Sequence, residues 1–225
     1  MNPTKLPLAT RNFPSPTRNS LTHFDLLKLF ANLIAGILVM PLVVSYHVAS
    51  RLVTSERIFP GFSQLASLWP GMIGAYLRRA FYRCVFPSCS GDCWISFGTV
   101  FSHCSANVGR RTYVGVGCML GDVTLEDDVL LGSHVSIING NRQHGIERLD
   151  IPIREQPGEY PRVTIGRDTW IGDRSIVMAN VGKHCVIGAG SVVTKPIPDY
   201  AIAFGNPAKI VRYRIDSAEG SLKDA

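Results

Sequence analysis

Aliphatic side chains recur every six residues along the second half of the chain, and eight of the eleven steps between them are six residues long. The register runs through Val108, Val114, Leu120, Leu125, Leu131, Ile137, Ile165, Ile171, Val177, Val181, Ile187 and Val193. A six-residue period drifts around a helix of 3.6 residues per turn, so no helix buries these positions on one side. A triangular coil of three short parallel strands per turn places one aliphatic side chain per strand inside. The pattern therefore predicts an all-β parallel solenoid.

The positions around each aliphatic residue support this coil. Glycine follows it in eight of twelve cases, and a small or β-branched residue stands two positions before it every time. We expect the small residues to fit the corners and the glycines to ease the bends. Cys118 and Cys185 occupy small positions and are predicted to be core residues rather than nucleophiles. Upstream, Ile95 and Phe101 extend the register less regularly.

The period breaks most strongly between Ile137 and Ile165, which are 28 residues apart. The intervening sequence is polar and contains three prolines, so residues 138–162 are predicted to form a loop that projects from the solenoid. Long loops in compact repeats are usually functional. His144 lies in this loop and is a candidate general base, although a lone loop histidine is more often solvated. Two shorter steps, Leu120 to Leu125 and Val177 to Val181, suggest tightened corners.

The N-terminal third carries a second kind of hydrophobic pattern. Residues 29–50 contain no Asp, Glu, Lys or Arg over 22 positions, about the length that crosses a hydrocarbon core. Pro41 lies inside this run, so a kinked or re-entrant helix competes with a straight span. Residues 58–77 form another uncharged stretch, which is expected to be an interfacial segment. The alternative is a helical hairpin that packs on its own domain.

Charge is distributed as unevenly as hydropathy. The chain has a net charge of +6, but residues 1–83 carry +7 and residues 84–225 carry −1. Nucleic acid is therefore not expected as a partner of the coil. Arg78, Arg79 and Arg83 lie beside aromatic residues, which suits the headgroup zone of an anionic leaflet. Basic residues stand on both sides of the apolar run, so both flanks are expected to be cytoplasmic and a dip into the leaflet is favoured over a full crossing.

The six cysteines include no CxxC pair, and zinc-ribbon spacing is absent. No secretory signal is recognised, so a reducing compartment and free thiols are expected.

The repeat, the His-containing loop and the segments VTIG, WIG, IGAGSVVTKPIP and AFGNPAKIVR together resemble the hexapeptide-repeat acyltransferases over residues 91–213. The likeness is greatest to the maltose, galactoside and xenobiotic O-acetyltransferases and to colanic-acid-type polysaccharide acetyltransferases. It implies a left-handed parallel β-helix, a homotrimer and acetyl-coenzyme A as the acyl donor. It also implies that His144 is the general base. Asn139 and Asn141 are candidates for orienting His144 or the acceptor, although asparagines are also common turn residues.

The same resemblance implies a coenzyme A site near the C-terminal end of the coil. Ala189 would offer a backbone contact to pantetheine beside Thr194 and Lys195, and Lys209 and Arg212 would face phosphates. Two interpretations stay open nearby, because Trp170 could flank pantetheine or merely roof a corner, and Asn206 and Pro207 could form a closing turn. Asp173 departs from the small residues that are common after WIG in the family.

These observations predict four regions: a flexible tail (1–24), a helical membrane-associated region (25–90), the acyltransferase coil (91–213) and a C-terminal tail (214–225). We expect acetyl transfer to a hydroxyl of a glycan or lipid-linked sugar at the cytoplasmic face of the cell membrane, with no metal. An N-acetyltransferase of an amino sugar and a serine-type acetyltransferase are alternatives within the enzyme class. A zinc carbonic anhydrase of the same fold and a trimeric membrane scaffold without activity are alternatives outside it.

Overall fold

The computed structural model describes residues 23–214 of the 225-residue chain. Three helices come first: α1 (His23–Leu52), α2 (Ser55–Ser67) and α3 (Gly71–Val85). Short parallel strands follow, and the last two pair antiparallel. The predicted tails lie outside the described residues, except for positions 23, 24 and 214.

The strands form three sheets, one for each side of a triangular coil. The first face contains β1 (Ser88–Cys89), β4 (Asn107–Val108), β7 (Val123–Leu125) and β10 (Val163–Ile165). The second face contains β2 (Trp94–Ile95), β5 (Tyr113–Val114), β8 (Leu130–Leu131), β11 (Trp170–Ile171), β13 (Val186–Ile187), β15 (Ala201–Phe204) and β16 (Lys209–Tyr213). The third face contains β3 (Val100–Phe101), β6 (Met119–Leu120), β9 (Ser136–Ile137), β12 (Ile176–Val177) and β14 (Val192–Val193).

The irregular steps in the sequence period keep the coil in register. Leu125, which follows a short step, pairs with Val108 in the coil before it and with Ile165 in the coil after it. Val181, which follows the shortest step, bridges Ile165 and Ile197 on the same face. The tightened corners therefore shorten a turn of the solenoid without moving the aliphatic side chains out of the core. Each of the twelve predicted aliphatic positions is buried, as are Cys118 and Cys185.

The glycines that follow the aliphatic residues serve close stacking rather than bending. A Cβ added at Gly172 would lie 2.5 Å from the backbone nitrogen of Ala189 in the next coil, which no side chain tolerates. None of the glycines that follow the aliphatic residues has a left-handed backbone, and the left-handed positions belong to other glycines and to residues such as Asp168, His184 and Tyr200. The expectation that these repeat glycines ease the bends is therefore wrong: they let one coil approach the next.

A helical cap made of α2 and α3 closes the N-terminal end of the coil. Arg78 is fully buried, and its guanidinium donates to the carbonyl oxygens of Ile95 (3.0 Å) and Trp69. Burial lowers the pKa of Arg78, but the carbonyls of the last turn of α2 and of the coil satisfy its donors. The Ser63 hydroxyl lies 2.8 Å from the Tyr82 hydroxyl and accepts a hydrogen bond from the backbone nitrogen of Phe101.

The expectation that residues 58–77 and the following arginines face lipid headgroups is therefore wrong for the buried residues. Arg78, Arg79, Phe81 and Tyr82 all pack between the helices and the first coil, which consists of β1, β2 and β3 (residues 88–101). The physical reason is that the open end of a solenoid exposes unpaired backbone carbonyls, and buried arginines provide the donors. The structure instead agrees with the alternative, in which a helical hairpin, here α2 and α3, packs on its own domain.

Helix α1 is continuous through Pro41 and packs against α3 and α2. Within residues 23–214, its segment Leu26–Leu52 is the one helix that is long and apolar enough to cross a membrane, with a mean hydropathy of 2.2. Only 17% of that window is buried, so the helix is not a core helix.

Candidate active site

The predicted loop leaves the coil after β9 and returns at β10. Asn139 fastens its base: the side chain is 2% exposed and its Nδ2 donates to the carbonyl oxygens of Asp122 (2.8 Å) and Pro161 (3.0 Å). Its Oδ1 accepts from the Asp122 backbone nitrogen at 2.8 Å. All of these bonds go to the backbone, so the side chain of Asn139 positions the loop and is not aimed at an acceptor.

A second amide stabilises the loop from within. Gln156 is buried, and its Nε2 donates to the carbonyl oxygens of Arg148 (2.7 Å) and Ile151 (3.3 Å) while its Oε1 accepts from the Arg148 backbone nitrogen. The backbone nitrogen of Glu159 donates to the carbonyl oxygen of Arg142 at 2.8 Å. Sequence reasoning missed Gln156, because a single glutamine in a polar loop carries no pattern that distinguishes it from its solvated neighbours.

His144 lies on the outer part of this braced loop and is exposed. It lines a cleft of about 320 Å³ together with Asn141, Arg142, Glu147 and Glu159. Asn141 is also exposed, so the structure brings these two predicted residues to one accessible cleft. An imidazole in this position can accept a proton from a hydroxyl that enters the cleft.

A larger groove of about 600 Å³ lies between α2 and the loop, along the third face. Its floor is apolar and includes Val100 and Met119, and its loop side carries Gln143 and Tyr160. His103 lines the same groove, with its Nδ1 2.8 Å from the Ser102 hydroxyl. Apolar floors with a few polar groups are typical of small-molecule sites. Sequence reasoning left His103 without a role, and only the fold brings it near the loop.

The predicted coenzyme A residues occupy other parts of the coil. Trp170 and Arg212 line one cleft of about 430 Å³ on the second face, together with Asp168 and Arg214. Ala189 is exposed at the corner between the second and third faces, where its backbone stacks beneath Gly172.

The remaining predicted donor residues lie further along the coil. Thr194 and Lys195 follow β14 at the next corner, and exposed Lys209 begins β16 opposite Phe204. Residues 205–208 form the turn that was predicted for Asn206 and Pro207. In the part of a single chain that the structure describes, the cleft lined by His144 and the cleft lined by Trp170 and Arg212 have no lining residue in common.

Ion pairs flank the cleft on the second face. Asp168 accepts from His184 Nδ1 at 2.8 Å and from Arg214 at 3.1 Å. The hydrogen bond from His184 and the nearby charge of Arg214 hold the pKa of Asp168 below its usual value. The His184 ring also stacks on Tyr200, with ring centroids 5.1 Å apart. His184 therefore has structural contacts, as its place within a coil predicts.

Asp173, which departs from the family pattern, has a local explanation. Its carboxylate accepts a hydrogen bond from the backbone nitrogen of Ser133 in the preceding coil. The residue thus satisfies a backbone donor at a corner of the solenoid. Among residues 23–214, no three His, Cys, Asp or Glu side chains are grouped so that they could hold a metal ion.

Comparisons with known proteins place this geometry in a family. Residues 162–195 match the family model described as bacterial transferase hexapeptide (six repeats). The chain is 30% identical to the galactoside O-acetyltransferase of Escherichia coli K12 over 142 residues, which cover 60% of this chain and 68% of the relative. It is 44% identical to a dTDP-3-amino-3,6-dideoxy-alpha-D-galactopyranose 3-N-acetyltransferase of Aneurinibacillus thermoaerophilus over 59 residues, covering 25% and 31% of the two chains.

A solved structure supports the fold. The maltose O-acetyltransferase of Clostridium difficile 630 superposes with a TM-score of 0.62 at 23% identity, covering 72% of this chain and 88% of that chain. This chain spans about half the length of several curated relatives that it matches, from 45% to 56%. The left-handed parallel β-helix that the repeat and its resemblance predicted is confirmed. The chain belongs to the hexapeptide-repeat acetyltransferase family.

Proposed function

We propose that this protein transfers an acetyl group from acetyl-coenzyme A to a hydroxyl of a glycan or lipid-linked sugar. The observation that carries the proposal is an exposed histidine, His144, on a braced loop inserted into the coil of a hexapeptide-repeat acetyltransferase. The galactoside O-acetyltransferase to which the chain is similar is named for transfer to a sugar oxygen.

The reaction needs a base, a nucleophile and a leaving group in one place. His144 removes the hydroxyl proton of the acceptor as its oxygen attacks the thioester carbonyl carbon. The carbon–sulfur bond then breaks, and the proton held by the imidazole passes to the departing thiolate. The products are an acetyl ester and free coenzyme A, so no outside oxidant, reductant or metal is needed for the balance.

The donor is proposed to lie along the second face and its adjoining corners. Arg212 supplies positive charge in the cleft that Trp170 lines, where Arg214 is paired with Asp168, and Lys209 lies on the same terminal strand. These groups suit the phosphates of coenzyme A, because charge-assisted contacts to phosphate are strong. A related galactoside acetyltransferase structure contains coenzyme A, although at 24% identity that likeness speaks for the fold alone.

We further propose that the active unit is a homotrimer in which two chains complete each site. The cleft of His144 and the cleft of Trp170 and Arg212 share no lining residue within one chain, which agrees with a site that a neighbouring copy completes. The second face also exposes large apolar side chains, among them Tyr113, Leu130 and Trp170, which suits a contact with another copy.

The acceptor is proposed to occupy the groove between α2 and the loop. Gln143, the neighbour of His144, lines this groove beside Tyr160, and Met119 supplies apolar floor. The groove also borders the helical cap that carries α1. This arrangement supports an acceptor that is held at a membrane surface, and we propose that this is the cytoplasmic surface, where acetyl-coenzyme A is available.

The test is thiol release from acetyl-coenzyme A across a panel of sugars, nucleotide sugars and polyprenyl-linked sugars. We expect acceptor-dependent thiol release with one class and an O-acetyl ester in the isolated product. A stable amide product would instead support the alternative of an amino-sugar N-acetyltransferase, which the likeness to a dTDP-amino-sugar 3-N-acetyltransferase favours as the second candidate. Absence of any acceptor-dependent release would contradict both.

A further inference from the structure

Helix α1 carries two apolar stripes on opposite sides. The inner stripe is buried against α2 and α3 and consists of Ala35, Val39, Val43 and Tyr46. The outer stripe is between 47% and 64% exposed and consists of Leu26, Phe30, Leu33, Ile37, Val44 and Val48. At 100° per residue the two sets point in opposite directions. The helical cap covers one stripe, and the described part of the chain leaves the other in contact with solvent.

The inner stripe is tied to the first coil near both of its ends. Towards the N-terminus, Asn32 Oδ1 accepts from Arg79, whose other nitrogen donates to the Cys93 carbonyl oxygen at 2.9 Å. Towards the C-terminus, the Tyr46 ring packs on Phe59 with centroids 6.2 Å apart. Phe59 then packs on Phe86, which contacts Phe101 of β3, at 5.8 and 5.0 Å between centroids.

These two ties fix how the helix runs. Asn32 and Tyr46 are separated by about 21 Å along the helix axis at 1.5 Å per residue. Both positions nevertheless reach the first coil through one or a few side chains. The helix therefore runs alongside the end of the β-helix rather than away from it.

A bilayer-spanning orientation of α1 conflicts with this arrangement. If the segment between the ties crossed the hydrocarbon core, Arg79 and the first coil would have to follow it. The first coil carries exposed Asp92, whose carboxylate accepts from the Ser90 hydroxyl at 2.6 Å and from the Arg111 backbone nitrogen at 3.1 Å. Charged groups at that depth are strongly disfavoured, and the strand backbone of a solenoid end is not tolerated in lipid.

We infer that α1 lies in the plane of a single leaflet, with its outer stripe in the acyl chains and its inner stripe on the helical cap. Lys28 and Arg51 flank the 22-residue uncharged run and would both stay at the headgroup level of the same leaflet. The outer stripe is thus expected to contact a phospholipid surface. Every residue of this stripe is apolar, and a helix that is hydrophobic on all sides needs a second apolar environment besides the cap. The inference rests on the proposed function only for the presence of a membrane.

Labelling from one side of the membrane tests this topology. In a background with Cys84→Ser, Cys89→Ser and Cys104→Ser, the variants Lys28→Cys and Arg51→Cys are placed separately in inverted inner-membrane vesicles. A third variant that retains Cys84, which is exposed on α3, reports the side of the catalytic coil. We expect a membrane-impermeant maleimide to label all three from outside the vesicle. Labelling of only one of Lys28→Cys and Arg51→Cys would mean a full crossing and would overturn the inference.

Flotation of the purified full chain with vesicles of phosphatidylethanolamine and phosphatidylglycerol tests the occupant. Ile37→Glu, in the outer stripe, is expected to reduce the floating fraction at least tenfold, whereas Leu149→Glu, at a 98% exposed position of the loop, is expected to leave it unchanged. A wild-type chain that stays at the bottom of the gradient, with its outer stripe paired to a second copy, would overturn the inference. Acetyl transfer to a soluble sugar is measured on the same samples, so a failure of the enzymatic proposal is seen separately from a failure of the topology.

Discussion

The residues that hold the inserted loop in place are distinct from the residue that is proposed to act as the base. Asn139 makes three side-chain hydrogen bonds to the backbone at the base of the loop, and Gln156 makes three within it. His144 stands exposed above both. The loop therefore holds the proposed base, which is accessible, on a hydrogen-bonded support, and this arrangement suits acyl transfer.

Replacing Asn139 should loosen this support. We expect Asn139→Ala to destabilise the fold by about 1–3 kcal/mol, since it leaves buried backbone groups without partners. It should also lower kcat more than it raises KM for acetyl-coenzyme A, because the base becomes mobile while the donor cleft is untouched. Steady-state kinetics and limited proteolysis of residues 140–162 measure the two effects.

Asn180 offers a milder control for that substitution. Its Oδ1 accepts from the Thr164 backbone nitrogen at 2.9 Å, so Asn180→Ala removes one exposed bond to β10 and leaves the three bonds of Asn139 at the base of the loop in place. Asn180→Ala should reduce stability without exposing the loop to protease. If both variants lost activity equally, Asn139 would have no special role in positioning the loop.

The terminal basic residues should act on the donor rather than on the acceptor. Lys209→Ala combined with Arg212→Ala is expected to weaken coenzyme A binding by about 1–3 kcal/mol per lost contact. Isothermal calorimetry with coenzyme A measures this, and Arg110→Ala, which removes an exposed pair with Asp127, is the control. Unchanged affinity in the double variant would move the phosphate site elsewhere.

At the scale of elements, the stability of the helical cap depends on a buried arginine, and that of a corner of the coil depends on an ion pair. Hydrophobic patterning identified the uncharged stretch before Arg78 but assigned its surroundings to lipid. The pattern could not distinguish a helix that faces a membrane from one that faces the end of a solenoid, because both environments are apolar. What distinguishes the two environments is the carbonyl groups of Ile95 and Trp69, which accept hydrogen bonds from Arg78. Only the folded structure brings these backbone groups to Arg78, so the sequence pattern does not reveal them.

The cap arginine gives a stability prediction. Arg78→Met keeps most of the side-chain volume but leaves the carbonyl oxygens of Ile95 and Trp69 without this donor in a buried site. We expect a loss of about 2–4 kcal/mol, and hence a melting temperature that is roughly 5–15 °C lower. Arg83→Met, at an exposed position of the same helix, should change the melting temperature little. Equal melting temperatures for the Arg78 variant and the wild type would mean that the cap does not depend on this arginine.

The corner that joins the first and second faces should make the protein sensitive to acid. The pKa of Asp168 is lower in the folded chain than in the unfolded chain, through His184 first and then Arg214. The unfolded state therefore binds this proton more readily, so the stabilisation is present above the ordinary Asp pKa and is lost as the pH falls through the lowered value.

Thermal melts against pH test this link. Between about pH 5 and pH 3, the wild type should lose more stability than Asp168→Asn does, since the variant has no proton to take up there. Salt at 1 M should weaken the difference, because the ion pair is partly exposed. Parallel melting curves for the two proteins would contradict the assignment.

At the scale of the whole molecule, the sequence period was sufficient for the architecture. Every aliphatic position of the register is buried, and the break after Ile137 is the loop. The sequence could not predict which outward-facing side chains lie together. A strand of two residues contributes one outward side chain, so it shows no alternation of polar and apolar positions. That is why Trp170 and Arg212 were predicted as site residues without their shared cleft, and why the groove with His103 and Tyr160 was not foreseen.

The six-residue sequence period also does not predict how copies of the chain associate. In the proposed trimer, the cleft of the loop and the cleft of the second face of neighbouring copies form one site, and the sequence repeat does not indicate which corners of the coil meet. The proposed trimer, the donor cleft and the in-plane α1 together would place three loops and three acceptor grooves around one membrane-bound assembly.

The most direct test of the account compares acetyl transfer by the wild type and by His144→Ala on the acceptor that supports thiol release. We predict that kcat falls by roughly 10²- to 10⁴-fold in the variant, while calorimetry shows coenzyme A affinity within about twofold of the wild type. His134→Asn serves as the control, because His134 lies at a left-handed corner, with φ of 57°, that asparagine also tolerates. Turnover of the His144 variant at the wild-type rate would contradict the central claim that the inserted loop carries the catalytic base.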